Sequence, residues 1–176
     1  MAVLPSTESD EYVAPSSPAG YLMWHILKKG FQAGGVIGVA AVVPALYLVK
    51  KVRDPVALLR AMGYSAITVT AASGSLAAFK FPKIDQAGFE DRAYRLHYNV
   101  GQNRTDDFSA VGALVGLAAA AVLVPRGAGG SASAFGLSLL GGSAVGVAAG
   151  VAAHVASMPK ELKHPSTALH EIKRND

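Results

Sequence analysis

With 176 residues, no cysteine and a formal charge of +4, the chain has single-domain length and excludes disulfides, thiolate metal sites and thiol catalysis. It is 51% hydrophobic but only 7% aromatic, and Ala, Val, Gly and Leu dominate, which argues against a water-soluble core filled by bulky rings. The positive charge does not indicate nucleic acid, because the basic residues sit at the ends of apolar runs without interleaved stacking aromatics.

Residues 1–20 combine prolines and serines with Glu8, Asp10 and Glu11. They have neither the basic start and apolar core of a secretory signal nor the Arg-rich, acid-poor make-up of a transit peptide, so an irregular arm is expected. Tyr21, Trp24, His25, Lys28 and Lys29 then suit a lipid headgroup layer, where rings and cationic stems reach water. Residues 30–49 give 20 positions without a charge, closed by Lys50, Lys51 and Arg53. As a helix they would cover about 30 Å, the thickness of the hydrocarbon layer. Gly30, Gly34 and Gly38 share one face of this first span, and Pro44 is placed to kink its last turns.

Asp54-Pro55 marks a turn and a helix start, and residues 61–79 form a second uncharged run that is richer in hydroxyls. Thr70, Gly74 and Ala78 repeat the small-residue spacing there. Residues 80–107 are the only long charged passage inside the apolar sequence, with both signs mixed within 90–95 and 101–107. This connector is expected to be a loop ordered by internal ion pairs or by a neighbouring protein, with Arg92, Tyr94, Arg95, Arg104 and Asp106 as its docking candidates.

Residues 108–125 make a third span, with Gly112, Gly116 and Ala120 in register, and Arg126 marks a polar turn. The fourth span is expected over 134–157, where Ser138, Gly142, Gly146 and Gly150 form the longest small-residue stripe and His154 continues its spacing. His154 lies near the span's end and is expected to reach the headgroups. Residues 159–176 read as a polar tail at the membrane surface. The helix-packing set is thus Gly34, Gly38, Gly74, Gly112, Gly116, Gly142, Gly146 and Gly150.

No chemical site emerges. Gly127-Ala128-Gly129-Gly130 lacks the Gly-Lys-Ser/Thr of a phosphate loop, Ser109 has no nucleophile elbow despite His97 and Asp106 nearby in sequence, and the five histidines have no metal-ligand spacing. The glycine stripes read as packing surfaces and not as a pore lining, because no ionisable residue sits in mid-span. The expected fold is all-α: an integral membrane four-helix bundle of two helical hairpins joined by the charged connector. The short basic turn at 50–60 is expected on the matrix or cytoplasmic side.

Asp91-Arg92-Ala93-Tyr94-Arg95-Leu96, then Asn99-x-Gly101-Gln102, then Arg104-x-Asp106 running into Gly112-x-x-x-Gly116, resembles a four-helix accessory subunit of mitochondrial respiratory complex I found in fungi, plants and algae. The stretch also looks like the wider superfamily of inner-membrane translocase subunits and preprotein and amino-acid transporters. There Tyr94, Arg104, Asp106, Gly112 and Gly116 would fill the signature's aromatic, arginine, aspartate and Gly-x-x-x-Gly roles, with a shorter Arg-to-Asp spacing here. The resemblance implies a multi-pass protein of the mitochondrial inner membrane that stabilises the membrane arm of NADH:ubiquinone oxidoreductase. It would have no catalytic residues, cofactor or metal of its own, and its partners would be other membrane subunits and lipids, including structural phospholipid, with no nucleic acid and no small-molecule substrate. A translocase or solute-channel subunit is the alternative.

Overall fold

A computed structural model of the chain describes residues 12–127 and 131–158. Among these residues every regular element is helical. Helix α1 (Pro18–Ile37) continues through two π-helical turns, Gly38–Val42 and Ala45–Val49; α2 is Pro55–Lys80, α3 Gln86–His97, α4 Val100–Leu123 and α5 Ala132–Ala156. Four helical stretches, Pro18–Val49, Pro55–Lys83, Val100–Leu123 and Ala132–Ala156, are long and apolar enough to cross a membrane.

Each helix starts where a small polar side chain satisfies free backbone N–H groups. Ser17 accepts from Gly20 at 3.1 Å, Asp54 from Val56 and Ala57 at 3.1 Å each, Asp85 from Gly88 at 2.9 Å, Asn99 from Gln102 at 3.0 Å and Ser131 from Ala134 at 3.2 Å. Such caps contribute about 1 kcal/mol apiece. Pro18 and Pro55 occupy first-turn positions, where a missing N–H costs nothing. The π-helical turns flank Pro44, whose ring opposes the carbonyl one turn back and removes a donor, so the ladder widens there. The helical stretch ends at Val49, Lys51 just beyond it takes a left-handed φ of 58°, and Arg53 folds back onto the Tyr47 carbonyl at 2.8 Å.

The structure moves several sequence-derived boundaries. The arm expected over 1–20 already turns helical at Pro18, and its residues 1–11 lie outside the described set, as do 128–130 of the expected turn and the tail 159–176. The second helix starts at Pro55 behind an Asp54 cap, as the Asp54-Pro55 signal indicated, so it includes six residues ahead of the uncharged run at 61; the fourth begins two residues before 134. The largest correction concerns the connector. Residues 80–107 are mostly helix, comprising a 3-10 turn (Phe81–Lys83), α3 and the opening turns of α4, which begins well before Phe108. Phe89, Ala93 and Leu96 recur at helical spacing and are buried, with Phe89 and Leu96 packed around Leu22 of α1, so an apolar stripe within the charged passage folds it as an amphipathic helix.

Helix α5 is the most enclosed, packing against α4, α2 and α1, while α1 and α2 pair with each other. Ser65 of α2 donates across to the Gly34 carbonyl at 2.8 Å, whereas Thr70 bonds back to Ala66 at 2.7 Å. The outer faces are apolar, with Leu76, Leu114 and Val122 exposed at 63%, 68% and 82%.

Candidate functional site

Helix α4 presents two different faces. Arg104, Phe108, Gly112, Gly116 and Ala120 follow one another at intervals of four, and this face meets α5. A Cβ built on Gly112 would strike the Gly146 carbonyl, and one on Gly116 the Gly142 carbonyl; the reciprocal additions at Gly146 and Gly142 would strike Gly112 and Gly116. Gly150 lies against the Phe108 carbonyl in the same way. Backbone therefore meets backbone along this crossing, where Cα–H···O contacts and dispersion supply the attraction.

The other glycines of the expected packing set divide. A Cβ on Gly34 would lie 2.6 Å from the Ala66 Cα of α2, a backbone contact, whereas Gly38 faces the Met62 thioether and Gly74 the end of Leu27, both movable side chains. Close approaches absent from the expected set occur at Gly35 against the Ala144 carbonyl, Gly63 against the Leu137 carbonyl and Gly141 against the Leu59 carbonyl. Gly141 adjoins the recognised stripe, but only the position of α2 on the neighbouring face of α5 gives it its role.

At the end of this crossing, Arg104 holds the C-terminus of α5. Its guanidinium donates to the His154 carbonyl at 3.3 Å, the Ser157 carbonyl at 3.1 Å and the Ser157 hydroxyl at 3.0 Å, and lies 3.2 Å from His154 Nδ1, which accepts. It also lies 4.6 Å from the centre of the Phe108 ring. A cation here meets the unpaired carbonyls and the negative end of the helix dipole. His154, expected to reach the headgroups, is instead 3% exposed beneath this guanidinium.

The second face of α4, formed by Gln102, Asp106 and Ser109, turns towards α1. The Asp106 carboxylate receives Lys29 Nζ at 2.6 Å, Lys28 Nζ at 2.8 Å and Gln32 Nε2 at 2.9 Å, while His25 Nδ1 lies 3.6 Å away. His25 Nε2 and Gln102 Oε1 are 2.9 Å apart. With its side chain 12% exposed, Asp106 is well shielded, and these charge-assisted bonds are stronger than neutral ones. Two ammonium groups against one carboxylate leave the cluster with a net positive charge.

Arg104 and Asp106, anticipated as docking residues, thus make their contacts inside the chain. Arg92, Tyr94 and Arg95 remain on the exposed side of α3. Arg95 pairs with Asp91 at 3.0 Å, Arg92 reaches the Gly88 carbonyl at 2.7 Å, and the Tyr94 ring meets Tyr12 and Tyr98 edge-on at 5.3 and 4.9 Å. The structure does not bring these three together with Asp106. Sequence reading missed the pairing of Asp106 with α1, although His25, Lys28, Lys29 and Gln32 stand at i, i+3, i+4 and i+7 and so form one polar helical face. Among the described residues no group of three or more His, Cys, Asp or Glu could hold a metal ion.

A family model described as a protein of unknown function, DUF1757, matches residues 8–157. No curated protein and no solved structure matches the chain.

Proposed function

The chain belongs to the DUF1757 family, and we propose that it is a multi-pass protein of the mitochondrial inner membrane, a non-catalytic accessory subunit that stabilises the membrane arm of NADH:ubiquinone oxidoreductase. In this reading two helical hairpins, α1–α2 and α4–α5, form an integral four-helix bundle, and α3 lies along the surface between them. The observation that carries the proposal is a division of labour among the polar groups. Asp106 and Arg104, beside the apolar segments, are spent on ties between helices, while Arg92 and Arg95 face outward above broad apolar flanks. Such a surface suits lipid and larger membrane subunits on its sides and a polar neighbour on α3. The complex I assignment draws on the resemblance of residues 91–116, and backbone contact at the α4–α5 crossing supports a packing role over a conducting path.

Deleting the gene and resolving mildly solubilised respiratory complexes on a native gel tests the assignment. Loss or faster migration of the oxidoreductase is expected, and normal assembly without the protein would overturn it. Arg92→Glu with Arg95→Glu should weaken co-purification of partner subunits while leaving the protein resistant to alkaline carbonate; full retention of partners would remove the docking role of α3.

A further inference from the structure

Between α1 and α4 lies a groove of about 430 Å³, floored by Thr70 of α2 and Val147 of α5. This falls within the ~300–1,000 Å³ typical of small-molecule sites. Its walls are hydrocarbon from Leu27, Phe31, Ala110 and Ala113, and its charged and amide groups, Lys28, Gln32 and Asp106, meet in one hydrogen-bonded cluster. Ala110 is exposed on its rim, and Trp24, at the mouth, is 63% exposed.

Two independent features indicate the chemistry of an occupant. The first is charge: Lys28 and Lys29 share the single Asp106 carboxylate, and the Lys28 side chain stays 38% exposed. Asp107 does not cancel the excess, because it lines the separate groove on the α4–α5 side. The second is Ser109, which is 3% exposed and whose Oγ has no hydrogen-bond partner. Thr70, the other hydroxyl in the lining, is already satisfied by the Ala66 carbonyl. A buried hydroxyl without a partner is costly unless a ligand accepts from it.

These groups are ordered by depth. Along α4 the rise of 1.5 Å per residue puts Ser109 about 4.5 Å below Asp106 and Ala113 about 10 Å below it. A cation at the mouth, a hydroxyl donor one step down and an apolar channel beneath match a phosphate, an ester carbonyl and an acyl chain. We propose that the α1–α4 groove binds one anionic phospholipid, its phosphate at Lys28, its ester carbonyl accepting from Ser109 and its chain lying between Phe31 and Ala113. The inference rests on the membrane-crossing part of the proposed function and on nothing in its assignment to a respiratory complex.

The only tryptophan of the chain, Trp24, lines this groove and reports on it directly. The purified full-length protein is reconstituted in phosphatidylcholine vesicles. Increasing fractions are then replaced by phosphatidylglycerol, or by phosphatidylcholine, brominated on the carboxyl-proximal part of one acyl chain. Trp24 fluorescence should be quenched with about fivefold preference for the anionic lipid, the size of one uncompensated lysine charge near a bilayer. Lys28→Gln should abolish the preference, and Ala113→Leu, which fills the channel, should reduce quenching by both lipids with helicity unchanged. Equal quenching by both lipids in the wild type would overturn the site while leaving membrane insertion standing. Quenching by neither, with the protein released into buffer, would overturn both. A preference that survives Lys28→Gln, or quenching indifferent to Ala113→Leu, would likewise refute the proposal.

Discussion

Replacing glycine by alanine at two positions of α5 separates packing from helix propensity. Gly136 and Gly146 lie in the same helix, but a Cβ on Gly136 would meet nothing within 4 Å, whereas one on Gly146 would enter the Gly112 carbonyl and lie 3.1 Å from the Gly116 Cα. The propensity gain, about 1 kcal/mol for alanine over glycine, is common to both. At Gly146 it competes with overpacking of about 1–3 kcal/mol, because the obstacle is backbone and cannot rotate away. Moving α4 aside also opens the neighbouring pair, where the backbones of Gly142 and Gly116 touch. Each weakened Cα–H···O contact forfeits a further ~0.5–1 kcal/mol. Gly136→Ala should therefore stabilise, and Gly146→Ala should destabilise relative to it by about 1.5–4 kcal/mol. Titrating the detergent-solubilised protein with sodium dodecyl sulfate and following helicity measures both. If the two variants shift the midpoint equally and in the same direction, the α4–α5 crossing is not a backbone contact.

Asp106→Asn removes the negative charge and one of the two acceptor oxygens that hold Lys28 and Lys29 together; because both lysines are partly exposed and can turn to water, the loss should be about 1–2 kcal/mol. Thermal unfolding in detergent checks it, and an unchanged midpoint would show that the cluster does not tie α1 to α4. Arg104→Lys keeps the charge but cannot reach the His154 and Ser157 acceptors together, so amide exchange at the C-terminal turn of α5 should accelerate about tenfold; protection equal to the wild type would contradict the capping role. Lys51→Gly relieves a left-handed φ of 58° and should stabilise by about 1 kcal/mol, a result the same melts would reveal as a raised midpoint. A lowered one would mean that the lysine side chain outweighs its backbone cost.

The long helices were legible because their information is local. Uncharged length, the Asp54-Pro55 start and the spacing of Gly112 with Gly116 and of Gly142 with Gly146 are all read along a single strand of sequence. The connector was misread because charge density hid a period: Phe89, Ala93 and Leu96 recur as a helical face between Glu90, Asp91, Arg92 and Arg95, and only the first of these patterns identifies the element. The pairing of Asp106 was less accessible still. Both of its helical faces can be drawn from the sequence, yet which helix the Gln102–Asp106–Ser109 face meets depends on where α1 lies in three dimensions. Gly63 and Gly141 were missed for the same reason, since each matters only through a carbonyl on another helix.

The two faces of α4 also explain why this helix touches α5 backbone to backbone but stands off from α1 across a groove. Towards α5 the spacing is set by glycine, which lets the helix backbones touch at Gly112 and Gly146. Towards α1 it is set by Lys28, Lys29 and Gln32, long side chains that meet a carboxylate across the gap and hold the helices apart by their own length. Below that bridge the opposing residues shrink to Ala110 and Ala113, too short to refill the distance the lysines impose, so the space beneath the polar bridge stays open as the groove. Shortening the bridge and filling the groove are therefore linked operations: a smaller residue in place of Lys29 would draw α4 towards α1, whereas a larger one in place of Ala113 would occupy the gap without moving either helix.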